Sequence, residues 1–223
     1  MEEQHSLEWY RKRLGNFTGS RVGDLMKSSR KAGEMFGDTA KSYIYQVAAE
    51  RNMNPSVVED DELFQMYLHQ VDIGSKAMRW GNEQEGNARS LYEKITGRRI
   101  VETGSCAHPS IPHFASSPDG YYYDEDTHEK GCIEIKSPSQ YVFMMFCGEI
   151  AGNDSLKKVR PEYYYQCMAH MMCLEADWCD FVAFNPFQKH PIHIVRILPE
   201  PDVFAEMEKR IRTANDIVEQ LID

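Results

Sequence analysis

The spacing of apolar residues changes close to Gly97. From about Lys76 to Thr96 the apolar residues recur at helical spacing, and Gly97 is a typical residue for a helix end. From Arg99 to Lys136 apolar and polar residues alternate instead, which predicts β-strands. A chain that combines the two periods in this way is expected to form a sheet covered by helices.

Further helices and strands are predicted on both sides of this stretch. The predicted helices are Ser6 to Arg13, a short helix through Val22, Leu25 and Met26 capped by Thr18-Gly19-Ser20, a helix capped by Asp38, Tyr141 to Phe146, Pro161 to about Ala176, and Val203 to Leu221. Two more strands are predicted at Trp178 to Phe184 and at Ile192 to Leu198. The polar stretch from Cys147 to Arg160 is predicted to be a loop. The fold class is therefore α/β, with a central mixed β-sheet flanked by helices.

Length and charge limit the kinds of protein that fit. The 223 residues contain no linker rich in Pro, Gly or Ser and no repeat, so we expect one domain over residues 1–223 with its core at about 76–198. The net charge of -10 argues against coating nucleic acid through bulk charge. Residues 1–31 nevertheless hold seven Lys or Arg against four acids. This basic edge fits either a DNA-binding groove or a solvated helix, and charge alone favours the helix.

The sequence predicts a cytoplasmic protein. No apolar run approaches the roughly 20 residues that span a bilayer, so no membrane contact is expected, and Met1 to Gln4 lack the pattern of a signal peptide. The six cysteines form no C-x-x-C pair, which is typical of reduced thiols. Zinc at Cys167, His170 and Cys173 is disfavoured, because ligands three residues apart on one helix do not converge tetrahedrally.

Two acids and a lysine lie in the alternating stretch. The sequence S-P-D-G at 117–120 is followed by E-I-K at 134–136. Alternate side chains of a strand share a face, so Glu134 and Lys136 lie together while the residue between them points into the core. A Pro-Asp-Gly turn before a hairpin can bring Asp119 beside that strand. Such short patterns also arise in unrelated proteins, and the turn alone is an ordinary one, so a purely structural role stays open.

These residue types suit phosphodiester hydrolysis. Two hard cations about 4 Å apart can neutralise the attacked phosphate and both apical oxygens. We expect two Mg²⁺ ions, for which Mn²⁺ can substitute, bound by Asp119, Glu134 and the carbonyl of Ile135. Glu85, in the helix before Gly97, would bind a metal directly or through water. Lys136 would position the attacking water, with a pKa that the metals lower.

The order of these motifs resembles that of the phage lambda exonuclease family, a viral recombination branch of the PD-(D/E)xK nucleases. The resemblance rests on Trp9 to Ser20, Trp80-Gly81 through Glu85 to Arg89, 117–120, 134–136 and Gln166. It implies a restriction-endonuclease-like core and a 5′→3′ exonuclease that degrades one strand of linear double-stranded DNA and leaves 3′ overhangs. It also implies a phage or prophage protein that forms a ring-shaped homotrimer and works with a single-strand annealing protein in recombination.

The resemblance assigns a group of residues to the DNA end. Arg13, helped by Thr18 and Ser20, would anchor a terminal 5′-phosphate, since a guanidinium and small hydroxyls suit that dianion. Ser117 is a further expected DNA contact. Without the resemblance, an exposed salt bridge would be the simpler interpretation of Arg13.

Other roles are also implied by the resemblance. Met78 corresponds to an apolar wedge that splits the end base pair, although a Met at helical spacing is also typical of a core. Lys76 and Arg30 correspond to contacts with the DNA backbone. Gln166 corresponds to a helix glutamine that touches the catalytic lysine and water, and its alternative is a helix-surface residue. Many relatives have a tyrosine four residues after this glutamine, where the present chain has His170, so the role of that position stays open.

Two other functions stay open at this point. One is a PD-(D/E)xK endonuclease, such as a restriction or junction-resolving enzyme, which would cut closed circular DNA. The other is a non-catalytic DNA-end-binding recombination protein that has kept the fold. For the second, Asp119→Ala would leave function unchanged.

Overall fold

The computed structural model describes residues 6–71 and 76–223, and at 76–78 it describes the backbone alone. In these ranges the helices are α1 (Leu7–Arg13), α2 (Val22–Leu25), α3 (Asp38–Arg51), α4 (Pro55–Glu59), α5 (Asp61–Val71), α6 (Lys76–Thr96), α7 (Gln140–Glu149), α8 (Asn153–Val159), α9 (Pro161–Leu174) and α10 (Pro201–Ile222). The strands are β1 (Phe17–Thr18), β2 (Cys106–Ala107), β3 (Phe114–Ser116), β4 (Gly120–Tyr123), β5 (Lys130–Lys136), β6 (Trp178–Phe184) and β7 (Ile192–Ile197). None of the helices so described is long and apolar enough to cross a membrane.

The larger sheet is mixed, as predicted. Its strand order is β4-β5-β6-β7, and successive neighbours run antiparallel, parallel and antiparallel. Strand β6 is buried at every residue, which is typical of an interior strand covered on both faces. Its parallel neighbour β5 pairs Glu134 with Phe181 and Lys136 with Ala183. The acid and the lysine of the E-I-K sequence therefore lie inside the sheet.

A second, smaller sheet is not predicted from the sequence. Its order is β1-β3-β2, and the parallel pair β1 and β3 joins Phe17 to Phe114 and Thr18 to Ala115. Strands of two or three residues offer too few alternating positions to be recognised in a sequence. This sheet holds the N-terminal segment against the residues that lead from β3 to Asp119.

The two faces of the larger sheet pack against different helices. Cys132 of β5 belongs to an apolar cluster that includes residues of α3, α9 and α10. Ile133 and Ile135 belong to a second cluster, with Ala88 and Tyr92 of α6. Because alternate residues of a strand share a face, the acid and the lysine of β5 lie on the side of α9.

Two periodic elements, one helix and one strand, are confirmed with their predicted limits. Helix α6 begins and ends as predicted, and Gly97 follows it with φ +71°, a left-handed conformation that glycine adopts without strain. Strand β6 also matches the predicted Trp178–Phe184. Both segments carry an apolar pattern over their whole length, so local sequence is sufficient to define them.

The predicted loop from Cys147 to Arg160 is wrong, because most of its second half is the helix α8. The hydroxyl of Ser155 accepts hydrogen bonds from the N–H groups of Ala151 and Gly152 at 2.8 and 3.0 Å, and these bonds satisfy the start of the helix. Leu156 is fully buried and anchors one face. Leu156 and Val159 are the two apolar residues of this helix, and two such residues among polar neighbours are too short a pattern to predict it.

Two predicted helix caps are also wrong. Thr18 lies in β1, and α2 begins after Arg21, which makes no side-chain capping bond. Helix α3 begins at Asp38 itself, after Gly37 as the cap residue. In both cases the helix starts close to the predicted position, and packing of its apolar side chains defines it without a side-chain cap.

Candidate active site

Asp119 lies where the chain passes from β3 into β4. Its backbone N–H donates to the carbonyl of Ile133 at 3.1 Å, and its Oδ2 accepts a hydrogen bond from the N–H of Ile135 at 2.6 Å. At Gly120, which follows, a Cβ would lie 2.3 Å from Cγ2 of Ile100. Glycine therefore allows the close approach to Ile100, and the turn brings the carboxylate to β5.

Glu134 is 1 % exposed, and both of its carboxylate oxygens are paired. Oε1 forms an ion pair with the ammonium of Lys136, and Oε2 lies 2.6 Å from Nε2 of His170. The same ammonium lies 4.9 Å from the centre of the Tyr163 ring, in a cation–π contact. The two charged residues that share a face of β5 thus contact each other, and α9 contributes a partner to each.

Negative charge accumulates around Asp119. Burial raises the pKa of Asp119 well above its usual value, and the charges of Glu134 and Glu85 raise it further. Burial also raises the pKa of Glu85, although the charge of Arg89 opposes this shift. The negative charge of Glu134 therefore repels those of Asp119 and Glu85 and disfavours their ionisation. A cation bound among them would relieve this repulsion.

Lys136 and Glu134 stabilise each other's charges. Burial by itself would raise the pKa of Glu134, but the charge of Lys136 and the hydrogen bond with His170 bring it below its usual value. Burial likewise opposes the charge on Lys136, yet the carboxylates of Glu134 and Asp119 raise its pKa above the usual value. The lowering expected from bound metals is thus opposed by two carboxylates, and it stays a prediction.

Glu85 approaches the site from α6. Its carboxylate forms an ion pair with Arg89 one turn later, and Arg89 also pairs with Glu102. The side chain of Glu85 is 22 % exposed, so solvent or a ligand can reach it. Its influence on Asp119 is electrostatic. The ion pair with Arg89 engages Oε1, and a carboxylate has a second oxygen with which it can bind a metal, so the predicted role of Glu85 stays a prediction.

The carboxylates of Asp119 and Glu134 are suitable metal ligands, and in this structure they contact other groups of the protein. The described side chains include no group of three or more His, Cys, Asp or Glu already arranged to hold a metal ion. Asp119 accepts from the N–H of Ile135, and Glu134 contacts Lys136 and His170. The donor chemistry nevertheless fits a hard divalent cation, because Mg²⁺ and Mn²⁺ prefer carboxylate oxygens.

Helix α9 presents three polar side chains to this face of the sheet. Tyr163, Gln166 and His170 are spaced by three and four residues and therefore lie on one side of the helix. Gln166 is buried, and the hydrogen bonds between described residues include none from its amide, so its predicted contact with the lysine stays a prediction. The contacts of Tyr163 and His170 are not predicted from the sequence. The feature of the sequence that points to His170 is a histidine on an apolar helix, one turn after Gln166.

The residues predicted at the DNA end lie together. The guanidinium of Arg13 donates to Oγ of Ser117 at 3.0 Å and to Oγ of Ser20 at 3.2 Å, and it lies 4.2 Å from the ring of Trp9. Oγ1 of Thr18 is 3.4 Å from Oγ of Ser20. Burial lowers the pKa of Arg13. These bonds go to hydroxyl groups, so they differ from the salt bridge that was the simpler interpretation.

The other predicted DNA contacts lie elsewhere or outside the description. Arg30 is exposed in the segment between α2 and α3, where it lines a surface cavity of about 510 Å³ with Lys27 and Lys31. The side chains of Lys76 and Met78 lie outside the described residues. The roles of all three predicted contacts therefore stay predictions.

The chain is similar to known proteins in sequence and fold. A family model for the YqaJ-like viral recombinase domain matches residues 8–177. The solved alkaline exonuclease LHK-Exo from Laribacter hongkongensis is 28% identical, with a TM-score of 0.74 over 97% of this chain and 94% of that chain, and its complex with dAMP gives the same values. A phage-related exonuclease from Haemophilus somnus 129PT is 18% identical, with a TM-score of 0.64 over 93% of this chain and 95% of that chain. The comparison with curated proteins gives no match.

Proposed function

The chain belongs to the YqaJ-like viral recombinase family, and from this premise we propose that it is a metal-dependent 5′→3′ exonuclease. It degrades one strand of linear double-stranded DNA and leaves 3′ overhangs for recombination by single-strand annealing. The observation that carries the proposal is the short segment that connects the residues around Arg13 with the carboxylates around Asp119. Ser117, which accepts from Arg13, is two residues before Asp119, whose carboxylate contacts β5.

Asp119 and Glu134 are the residues that would hold the metal ions, together with the carbonyl of Ile135. Glu85 would join them, directly or through a water molecule. When bound, two Mg²⁺ or Mn²⁺ ions supply positive charge to the attacked phosphate and to the entering and leaving oxygens. Burial raises the pKa of Asp119, and repulsion from Glu134 and Glu85 raises it further. The repulsion supports this assignment, because bound cations would remove it.

Lys136 acts on the attacking water. Its ammonium has a fixed position between the carboxylate of Glu134 and the ring of Tyr163. From that position it can donate a hydrogen bond to a water oxygen and stabilise the hydroxide that forms as the proton leaves. Gln166, on the same face of α9 as Tyr163, would orient the water from the helix side.

Arg13 makes the enzyme begin at the 5′ end of a strand. In this proposal the guanidinium and the hydroxyls of Ser20, Ser117 and Thr18 bind the 5′-phosphate at a DNA end. The ring of Trp9 supports the guanidinium from one side and limits its motion. Since Ser117 and Asp119 belong to one short segment, a phosphate held by Arg13 would leave the next phosphodiester near the carboxylates.

LHK-Exo supports an exonuclease over other nucleases. It is called an alkaline exonuclease, and it has been solved with dAMP, a mononucleotide of the kind that an exonuclease releases. We extend the proposal to a ring-shaped homotrimer and to an annealing protein as partner, on the strength of the resemblance in the motifs. Arg30, Lys76 and Met78 are the proposed contacts with the duplex outside the active site.

The deciding experiment compares defined DNA substrates. Linear duplexes carrying a 5′-phosphate or a 5′-hydroxyl on one labelled strand, and a closed circular duplex, are incubated with Mg²⁺ or with EDTA. We expect mononucleotides from the 5′-phosphorylated strand in Mg²⁺ and an intact circle. Cleavage in EDTA would contradict the metal-dependent mechanism, and cutting of the circle would indicate an endonuclease. Light scattering tests the trimer, because a strict monomer contradicts a ring.

A further inference from the structure

His170 is a buried imidazole for which the proposed reaction has no role. It lies on α9 and is 0 % exposed. Its Nε2 is 2.6 Å from Oε2 of Glu134, and its Nδ1 is 2.7 Å from Oγ of Ser116. A carboxylate only accepts hydrogen bonds, so Nε2 carries the hydrogen, and in the neutral ring Nδ1 accepts from the serine hydroxyl. Both ring nitrogens therefore have partners inside the protein.

Ser116 itself occupies a closed space. It is fully buried at the end of β3. A Cβ built at Gly19 would lie 1.9 Å from Oγ of Ser116 and 3.3 Å from Cβ of Ala169. A larger residue at position 19 would thus displace the serine hydroxyl. The smaller sheet and α9 together enclose the hydroxyl that holds the imidazole.

The hydrogen bonds from Ser116 to His170 and from His170 to Glu134 give the two carboxylate oxygens of Glu134 different partners. Oε2 faces the imidazole, and Oε1 faces Lys136 at the site. Without the imidazole, a buried carboxylate oxygen would lose its hydrogen-bond partner, and the carboxylate could rotate. Groups that hold a metal ligand in one orientation typically change metal affinity by about 10- to 100-fold when they are removed.

We propose that His170 is a positioning residue that fixes Glu134 for binding a divalent cation, with Ser116 fixing the imidazole in turn. The inference rests on the proposed function, because it takes Glu134 to be a metal ligand. His170 touches neither the DNA nor the cation in this scheme. It acts through Glu134 alone, from the opposite side of the carboxylate.

Two substitutions of His170 separate its two hydrogen bonds. The amide nitrogen of glutamine extends about as far as Nε2, so His170→Gln keeps a donor for Glu134. The shorter asparagine corresponds to Nδ1, so His170→Asn keeps a partner for Ser116 and leaves Glu134 unpaired. Binding of Mn²⁺ to the full-length variants is measured by calorimetry, and hydrolysis is measured over a range of Mn²⁺ concentrations. Thermal unfolding in EDTA shows whether each variant is folded.

We expect His170→Asn to bind Mn²⁺ about 10- to 100-fold more weakly than the wild type and to need correspondingly more Mn²⁺ for half-maximal hydrolysis. His170→Gln should stay within about threefold of the wild type. Equal Mn²⁺ affinity in folded His170→Asn overturns the inference and leaves the proposed function intact. If His170→Asn does not fold, His170→Gln decides, because a large loss of affinity there contradicts a role through the Glu134 bond. Absence of Mn²⁺ binding by the wild type overturns the proposed function as well.

Discussion

The two halves of the candidate site differ in how their charges are balanced. Around Asp119 and Glu134, the three acids face Lys136 and Arg89, and Arg89 also pairs with Glu102; burial and the neighbouring acids raise the pKa of Asp119. Around Arg13, the cation has only hydroxyl partners among the hydrogen bonds described for it, those with Ser20 and Ser117. The first half therefore has the charge balance of a cation site and the second that of an anion site. The predictions below test this division, from the largest expected effect to the smallest.

Lys136→Ala tests the chemistry of the acidic half. We expect hydrolysis of a labelled linear duplex in a single turnover to slow by about 10²- to 10⁴-fold, because the group that stabilises the hydroxide is lost. DNA binding in Ca²⁺, followed by fluorescence anisotropy, should be retained. Lys130→Ala removes a lysine at the other end of β5 and should react at nearly the wild-type rate. A fast Lys136→Ala would remove this residue from the mechanism.

Arg13→Ala tests the basic half. The preference for a 5′-phosphate over a 5′-hydroxyl should fall by about 10- to 100-fold, since charged hydrogen bonds contribute about 1.5 to 3 kcal/mol. The rate on the 5′-hydroxyl substrate should change little. Lys12→Ala removes a neighbouring positive charge from the same helix and serves as the control. An unchanged preference in Arg13→Ala would show that another group recognises the phosphate.

Gly19→Ala tests the packing that lies between the two halves. The added Cβ meets Oγ of Ser116 at 1.9 Å, so urea denaturation should give a free energy of unfolding lower by about 1 to 3 kcal/mol. The cost should be smaller in a Ser116→Ala background, where the clashing oxygen is absent. Gly148→Ala in α7 is the control, because a Cβ there meets nothing within 4 Å. Equal costs in both backgrounds would rule out this contact as the cause.

Asp119→Asn tests the raised pKa of Asp119, which burial and the neighbouring acids cause, through the pH dependence of stability. A carboxyl whose folded-state pKa is raised favours folding while it is protonated, and this contribution is lost as the pH rises above about 4 towards the folded-state pKa. In EDTA at pH 7 the variant should therefore be more stable than the wild type, on the order of 1 kcal/mol. Thermal unfolding from pH 4 to 8 measures this difference, and parallel curves for the two proteins would contradict a raised folded-state pKa of Asp119.

The local parts of the site could be predicted from the sequence. Glu134 and Lys136 are two residues apart in one strand, and the alternation of the strand is sufficient to put them on one face. The resemblance to the lambda exonuclease family, which rests on these and other motifs, is confirmed by the family model and by the fold of LHK-Exo. Helix α6 could also be predicted, because its apolar pattern extends over 21 residues.

The contacts between distant segments could not be predicted. His170 and Glu134 are 36 positions apart, and no periodic pattern relates a helix residue to its partner on a strand. The bond between Arg13 and Ser117 spans 104 positions and depends on the smaller sheet, whose strands are too short to be recognised. Helix α8 was missed for a related reason, since its one fully buried apolar residue is Leu156. Such features depend on tertiary packing.

The parallel pairing of β1 with β3 has a consequence for synthesis in the cell. β1 leaves the ribosome roughly 100 residues before β3, which takes on the order of 5 to 20 seconds at typical elongation rates. During that interval Phe17 has no strand partner, and Arg13 has no Ser117 to contact. The contact between Arg13 and Ser117, which belongs to the proposed site for a DNA end, therefore cannot form until about half of the protein has been made.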